Sequence, residues 1–211
     1  MKWFYPHWGP LIIKTKITEA FVNKLLTEGD KARSMEQDKS SELAGVLDGQ
    51  YYYKDFEEWF DTRFKPVITL YQSKLNEYLS PEHMEEQFGT KIPFNTKVKS
   101  LWINYQRQYE YQPIHKHTGD LSFVIYLQVP KEIDQEVKER EGTHNNSGPG
   151  KINFTIGPHM PFSITTYDEL PKVGDVFIFP AWVQHYVNSF KSNVERISVS
   201  GNITLKENKL E

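Results

Sequence analysis

Leu101-Trp-Ile-Asn-Tyr-Gln106, followed by Pro113-Ile-His-Lys-His-Thr-Gly-Asp120, is the stretch from which the fold can be read. From Lys97 the pattern has a period of two: Leu101, Ile103 and Tyr105 alternate with Trp102, Asn104 and Gln106, and Tyr109 and Tyr111 keep the odd parity. Successive side chains of a strand point to opposite faces, so this alternation predicts a strand with two distinct sides. Further short β runs are expected at Leu121 to Pro130, Lys151 to Ile156, Ser163 to Tyr167, Val176 to Phe179 and Arg196 to Leu205. Turn signals separate them: Thr118-Gly119, Gly148-Pro149-Gly150, Gly157-Pro158, Val173-Gly174-Asp175 and Phe179-Pro180. Many short strands without interleaved helices point to a sandwich or jelly roll, not a βαβ sheet.

Upstream the period is helical. Thr18 is a candidate cap for a helix over Glu19 to Leu26, with Gly29 just beyond its end. A longer helix is expected from Asp55 to Leu79. There Phe56, Trp59, Phe60, Phe64, Val67, Tyr71, Leu75 and Tyr78 form an aromatic stripe suited to packing on a sheet, and Pro66 is expected to kink or divide it. The chain thus reads as one domain, residues 1–211: a mostly helical part over 1–96 and a jelly-roll core over 97–205. Lys131 to Gly150 is charged, then rich in Gly, Asn and Ser, and reads as a mobile loop or a lid over a site; residues 31–50 are a second segment of that character.

Composition narrows the function. Hydrophobic residues make up 38% of the 211, enough for a core. With 25 Lys+Arg against 28 Asp+Glu and no block of like charge, no groove for duplex nucleic acid is expected. No apolar run approaches the ~20 residues of a membrane span, and no signal peptide is evident, so a cytoplasmic protein is expected. Cysteine is absent, which excludes disulfides, thiolate metal sites and a cysteine nucleophile. A metal here must rest on His, Asp or Glu.

Of seven histidines, His7, His83, His144 and His159 sit in polar or turn-rich stretches and read as solvated or capping. His115 and His117 are two apart, so on an extended chain both imidazoles reach one point while Lys116 faces away. Asp120 follows a Gly119 turn that could swing its carboxylate toward the same point. Downstream, Lys172-Val-Gly-Asp-Val-Phe-Ile-Phe-Pro-Ala-Trp-Val-Gln-His185 is a turn, an apolar strand, a Pro stop and a histidine. Arg196 and Ser198 then share a strand face opposite Ile197 and Val199. An inward arginine is costly to bury unless it meets an anion, and guanidinium suits bidentate carboxylate binding; a surface salt bridge is the plainer alternative.

In order and spacing these residues resemble the 2-oxoglutarate and Fe(II)-dependent oxygenase superfamily, most closely small oxygenases of bacteria and of tailed phages of marine bacteria. The likeness runs through Gly9-Pro-Leu-Ile-Ile13, Trp102-Ile-Asn104, Pro113 to Leu127, Gly174-Asp-Val-Phe-Ile-Phe-Pro180, His185 and Arg196-Ile-Ser-Val-Ser-Gly-Asn202. The resemblance implies a double-stranded β-helix of the cupin-like type, mainly β, with amino-terminal helices packed on one sheet and Fe(II) in its mouth. His185 matches the distal metal ligand. Arg196 matches the residue that grips the far carboxylate of 2-oxoglutarate, with Ser198, Tyr126 and Asn104 as further cosubstrate-binding positions. The implied activity is a dioxygenase, as a hydroxylase, coupling 2-oxoglutarate decarboxylation by O2 to oxidation of a protein side chain or a small metabolite, in the host cytoplasm if the chain is phage-encoded.

One departure stands out. Where the superfamily has His-x-Asp, this chain has His115-Lys-His117, with an acid only at Asp120. Either His115, His117 and His185 hold the metal, or Asp120 supplies an anionic ligand beside one of the pair. Two other functions fit the same residues: a cupin-like metal enzyme that does not use 2-oxoglutarate, and a non-enzymatic jelly-roll binding or virion protein.

Overall fold

The alternation at residues 101–106 becomes the carboxyl-terminal half of strand β3 (Asn95–Gln106) in a computed structural model of the chain, which describes residues 9–35, 43–79, 86, 94–140, 148–158 and 160–206. The other strands are β1 (Ile13–Lys16), β2 (Gln50–Tyr52), β4 (Gln112–His115), β5 (Leu121–Gln128), β6 (Ile152–Thr155), β7 (Thr166–Glu169), β8 (Asp175–Pro180), β9 (Gln184–Val187) and β10 (Arg196–Lys206). They form a six-stranded sheet in the order β1-β8-β5-β10-β3-β2 and a four-stranded sheet in the order β4-β9-β6-β7. All the strand pairings are antiparallel. The molecule is a mainly β jelly roll, as the alternation predicts.

The two parities of the large sheet have different neighbours. Leu101, Ile103 and Tyr105 of β3 join Ile197, Val199 and Ile203 of β10 and Phe123 and Ile125 of β5 in a core with helices α1 (Glu19–Ser34) and α2 (Glu57–Tyr78). The α2 aromatic stripe lands here: Phe64 and Phe60 lie 4.3 and 5.6 Å from the Phe123 ring. Each fully buried phenylalanine contributes roughly 1.5–3 kcal/mol. Trp102, Asn104 and Gln106 lie on the opposite parity, as do Tyr126 and Val124. With Ile152, Phe154, Phe177 and Phe179, Tyr126 and Val124 make a second, smaller core between the sheets.

Several expectations are corrected. Helix α1 runs on to Ser34 instead of ending near Leu26, with Gly29 inside it. A Cβ at Gly29 would sit 2.3 Å from Ile103 Cδ1, so this glycine marks a close helix–sheet approach, not a stop. Pro66 does not divide α2. It deprives only the carbonyl of exposed Thr62 of its helical partner, which water can replace, while the apolar face on either side stays packed. The amino-terminal part also contributes β1 and β2 to the large sheet. Strand β3 ends at Gln106; Tyr109 turns at φ 66, and Tyr111 bridges to Val46. The run expected at Ser163 to Tyr167 is strand only from Thr166, as β7.

The expected loop from Lys131 begins instead as helix α3 (Lys131–Glu139). Ile133 is fully buried, Val137 lies one turn on, and Glu136 accepts hydrogen bonds from the Lys191 and Ser192 amides. Residues 36–42 and 141–147, within the two expected mobile segments, lie outside the described residues, as do His7, His83, His144 and His159. Among the described residues no helix is long and apolar enough to cross a membrane.

Candidate metal centre and anion pocket

Three imidazoles meet between the sheets. Their ligand atoms, from His115, His117 and His185, all lie within 4.8 Å of one another. His115 ends β4 and is directly opposite His185 on β9 in the ladder. His117 follows two residues later, its amide bonded to Ala181 O in the β8–β9 turn at 2.9 Å. Lys116 between them is exposed, in keeping with same-face geometry for the pair.

Hydrogen bonds fix the ring orientations. His115 Nδ1 lies 2.7 Å from Pro113 O, and His185 Nδ1 lies 3.0 Å from Val183 O. A carbonyl only accepts, so each Nδ1 carries the proton and each Nε2 keeps its lone pair. His117 Nε2 lies 3.1 Å from His185 Nε2. Nitrogens this close could both serve as ligands to a single ion. Burial, with His115 and His117 adding to it, pushes the His185 imidazole down to about 3. Burial and then His115 push His117 down to about 4, and burial lowers His115 against the pull of the Pro113 carbonyl. All three are therefore neutral near pH 7, the form that binds metal.

Asp120 is elsewhere. Its Oδ2 accepts from the Leu205 amide at 2.7 Å, at the far end of β10. Gly119 has φ +98, and a Cβ there would sit 2.9 Å from Ile203 O. The Thr118-Gly119 turn thus carries Asp120 toward β10, and Asp120 is not in the histidine group.

Arg196, Ser198 and Tyr126 line the same pocket as the histidines, with Trp102, Gln112 and Ser200 among the other walls. Arg196 is buried; its Nη1 donates to Gln106 Oε1 at 2.7 Å, and its guanidinium lies 4.8 Å from the Tyr126 ring centre. Among the described residues its Nε and Nη2 and the Tyr126 hydroxyl have no partner at hydrogen-bond geometry, although the phenol and the guanidinium lie close enough to influence one another. Burial pushes the Tyr126 phenol up to about 12 and the guanidinium down from its usual range. The adjacent acid, Glu195, pairs with Arg33 and Arg107 instead. A buried cation with two idle donors and, among the described residues, no acid paired with it fits an incoming carboxylate.

Asn104 is not a wall of that pocket. It stands behind Ser198 and Ser200, its Nδ2 donating to their hydroxyls at 3.5 and 3.2 Å, and it accepts from Gln50 Nε2 at 2.7 Å. Gln50 and Gln106 were not singled out by the sequence reading. Asn104 and Gln106 share the inward parity of β3, which the alternation does show, but an amide on that parity carries no mark of its partner.

The family described as "Putative 2OG-Fe(II) oxygenase" matches residues 100–202, the span holding all three histidines and Arg196. No curated protein matches the chain. Among solved structures, a Pseudomonas putida prolyl-4-hydroxylase is 12% identical, with 92% of each chain covered and a TM-score of 0.56. The viral collagen prolyl hydroxylase of Paramecium bursaria Chlorella virus-1 is 11% identical, covering 91% of this chain and 94% of its own, with a TM-score of 0.53. A non-heme alpha-ketoglutarate-dependent carbocyclase from nogalamycin biosynthesis is 12% identical over 92% of this chain and 79% of its own, with a TM-score of 0.57. These likenesses concern the fold.

Proposed function

We propose that the chain, whose residues 100–202 match a family of 2-oxoglutarate- and Fe(II)-dependent oxygenases, is a dioxygenase coupling 2-oxoglutarate decarboxylation to hydroxylation of a protein side chain or a small metabolite. His115, His117 and His185 would hold the iron through their Nε2 atoms. The bound iron supplies the redox chemistry that activates O2. Arg196 would take the distal carboxylate of 2-oxoglutarate through Nε and Nη2, with Ser198 and the Tyr126 hydroxyl beside it and Asn104 bracing Ser198 from behind.

The observation that carries this reading is the pairing, in one pocket, of three converging neutral imidazoles with a buried arginine that no acid among the described residues neutralises. The chain's own share is orientation. The Pro113 and Val183 carbonyls hold two imidazoles in the ligating tautomer, and Phe154 and Phe179 pack at 6.0 and 4.9 Å from the His185 ring, keeping water off that side. A three-histidine metal enzyme without 2-oxoglutarate would leave Arg196 idle, and a purely structural jelly roll would leave both groups idle. Because β1 and β2 complete the large sheet, the same reading takes residues 1–211 as one domain.

Succinate formation tests it. Purified protein given Fe(II), O2 and 2-oxoglutarate is expected to release succinate above the enzyme-free rate, and His185→Ala to abolish the excess. Equal release by the parent and that variant would count against the proposal.

A further inference from the structure

The Arg196 guanidinium lies against the Tyr126 ring, and its one hydrogen bond among the described residues goes to an amide, not to an acid, so its charge is not cancelled. Gln106 Oε1 accepts from Arg196 Nη1 at 2.7 Å, and both residues are buried. The Gln106 amide has a single workable orientation. Its Nε2 donates to two main-chain carbonyls, Glu110 O at 2.7 Å and Asn188 O at 3.2 Å. Flipping the amide would set its oxygen against both carbonyls and its NH2 against the guanidinium, so Oε1 must face Arg196. The contacts also join three elements: Glu110 lies in the turn that leads into β4 and His115, Asn188 directly follows β9 with His185, and Arg196 opens β10.

We propose that Gln106 is a positioning residue for the cosubstrate: it aims the Arg196 guanidinium and spares its charge for a carboxylate. A carboxylate at position 106 would satisfy the same N–H but cancel the charge, leaving little attraction for a second anion in a dry pocket. An apolar residue would leave the guanidinium free to turn. The proposal rests on the reading of Arg196 as the 2-oxoglutarate anchor.

The test compares two ligands on the Zn(II)-loaded protein by calorimetry, with no turnover involved. 2-Oxoglutarate carries the distal carboxylate; 2-oxobutyrate keeps the 2-oxo acid end and lacks it. The parent is expected to prefer 2-oxoglutarate. Gln106→Met should weaken 2-oxoglutarate about ten- to a hundredfold, the range for losing a hydrogen bond to a charged group, and leave 2-oxobutyrate and Zn(II) affinity nearly unchanged. Gln106→Glu should remove the preference altogether. Equal weakening of both ligands by Gln106→Met would mean a merely structural role and overturn the proposal, a judgement that holds even if Gln106→Glu fails to fold. A preference that Arg196→Ala removes but Gln106→Met preserves would overturn it while sparing the proposed function. No preference in the parent would overturn both.

Discussion

His117 Nε2 and His185 Nε2 lie 3.1 Å apart although 68 positions separate the residues in the chain. Neither sits there by accident of a flexible side chain: His185 is pinned through its other nitrogen to Val183 O, and His117 through its amide to Ala181 O. The β8–β9 turn therefore sets the spacing of two donors at once. Burial that keeps both rings neutral favours a metal over a proton at this point.

Removing one donor tests that assembly. His185→Ala should abolish stoichiometric Fe(II), Co(II) or Zn(II) binding, measured by metal analysis after dialysis, with β-rich circular dichroism retained. A variant that holds metal as tightly as the parent would disprove the three-histidine site.

Asp120 gives the opposite expectation. With its carboxylate bonded to the Leu205 amide at an exposed position, Asp120→Ala should cost about 0.5–1.5 kcal/mol of stability and change metal affinity by less than about tenfold, the lower edge of the usual cost of losing a partner that supports a ligand. Lys116→Ala, at an exposed position, should be silent in both measurements. Loss of metal on changing Asp120, read by calorimetry, would restore it to the ligand set.

The uncompensated guanidinium predicts a conflict between stability and binding. Arg196→Met removes a buried charge with two idle donors, at the expense of leaving Gln106 Oε1 without its N–H. Replacing a buried ionic group by a packed apolar one has stabilised other proteins by about 1–4 kcal/mol, and an orphaned amide oxygen costs about 1–3. The net expectation is a ligand-free melting temperature unchanged or a few degrees higher. A fall of ten degrees or more in a thermal scan would show that the charge is already compensated.

Helix α3 is held by Ile133, which is fully buried and whose Cγ2 would lie 2.7 Å from a Cβ at Gly150. Ile133→Ala should cost about 2–5 kcal/mol and speed amide exchange across residues 131–139. Rapid exchange there in the parent would favour the mobile loop read from the sequence.

The large features were legible because they repeat. Six alternating residues at 101–106 carry the two faces of β3, and eight apolar positions carry the face of α2. The histidines at 115 and 117 and the arginine at 196 were visible as chemistry that a core does not need. What escaped was short or neutral. Strands β4 and β9 have four residues each, too few for a period, and α3 shows one buried residue among charges. The path of Asp120 depends on a glycine turn whose direction is set by β10, not by its own sequence. Gln50 and Gln106 gain their meaning from side-chain partners 54 and 90 positions away.

One titration bears most directly on the account. Under anaerobic conditions, 2-oxoglutarate is added to the Fe(II)-loaded protein and the visible metal-to-ligand charge-transfer band is followed. The band is expected to saturate at one equivalent. Arg196→Ala should retain iron but shift the titration to roughly thirty- to several-thousand-fold higher concentration, the cost of about 2–5 kcal/mol for removing one partner of a buried charged contact. An iron-loaded parent that gives no band, or a variant that titrates with the parent, would contradict the claim that one pocket binds both groups.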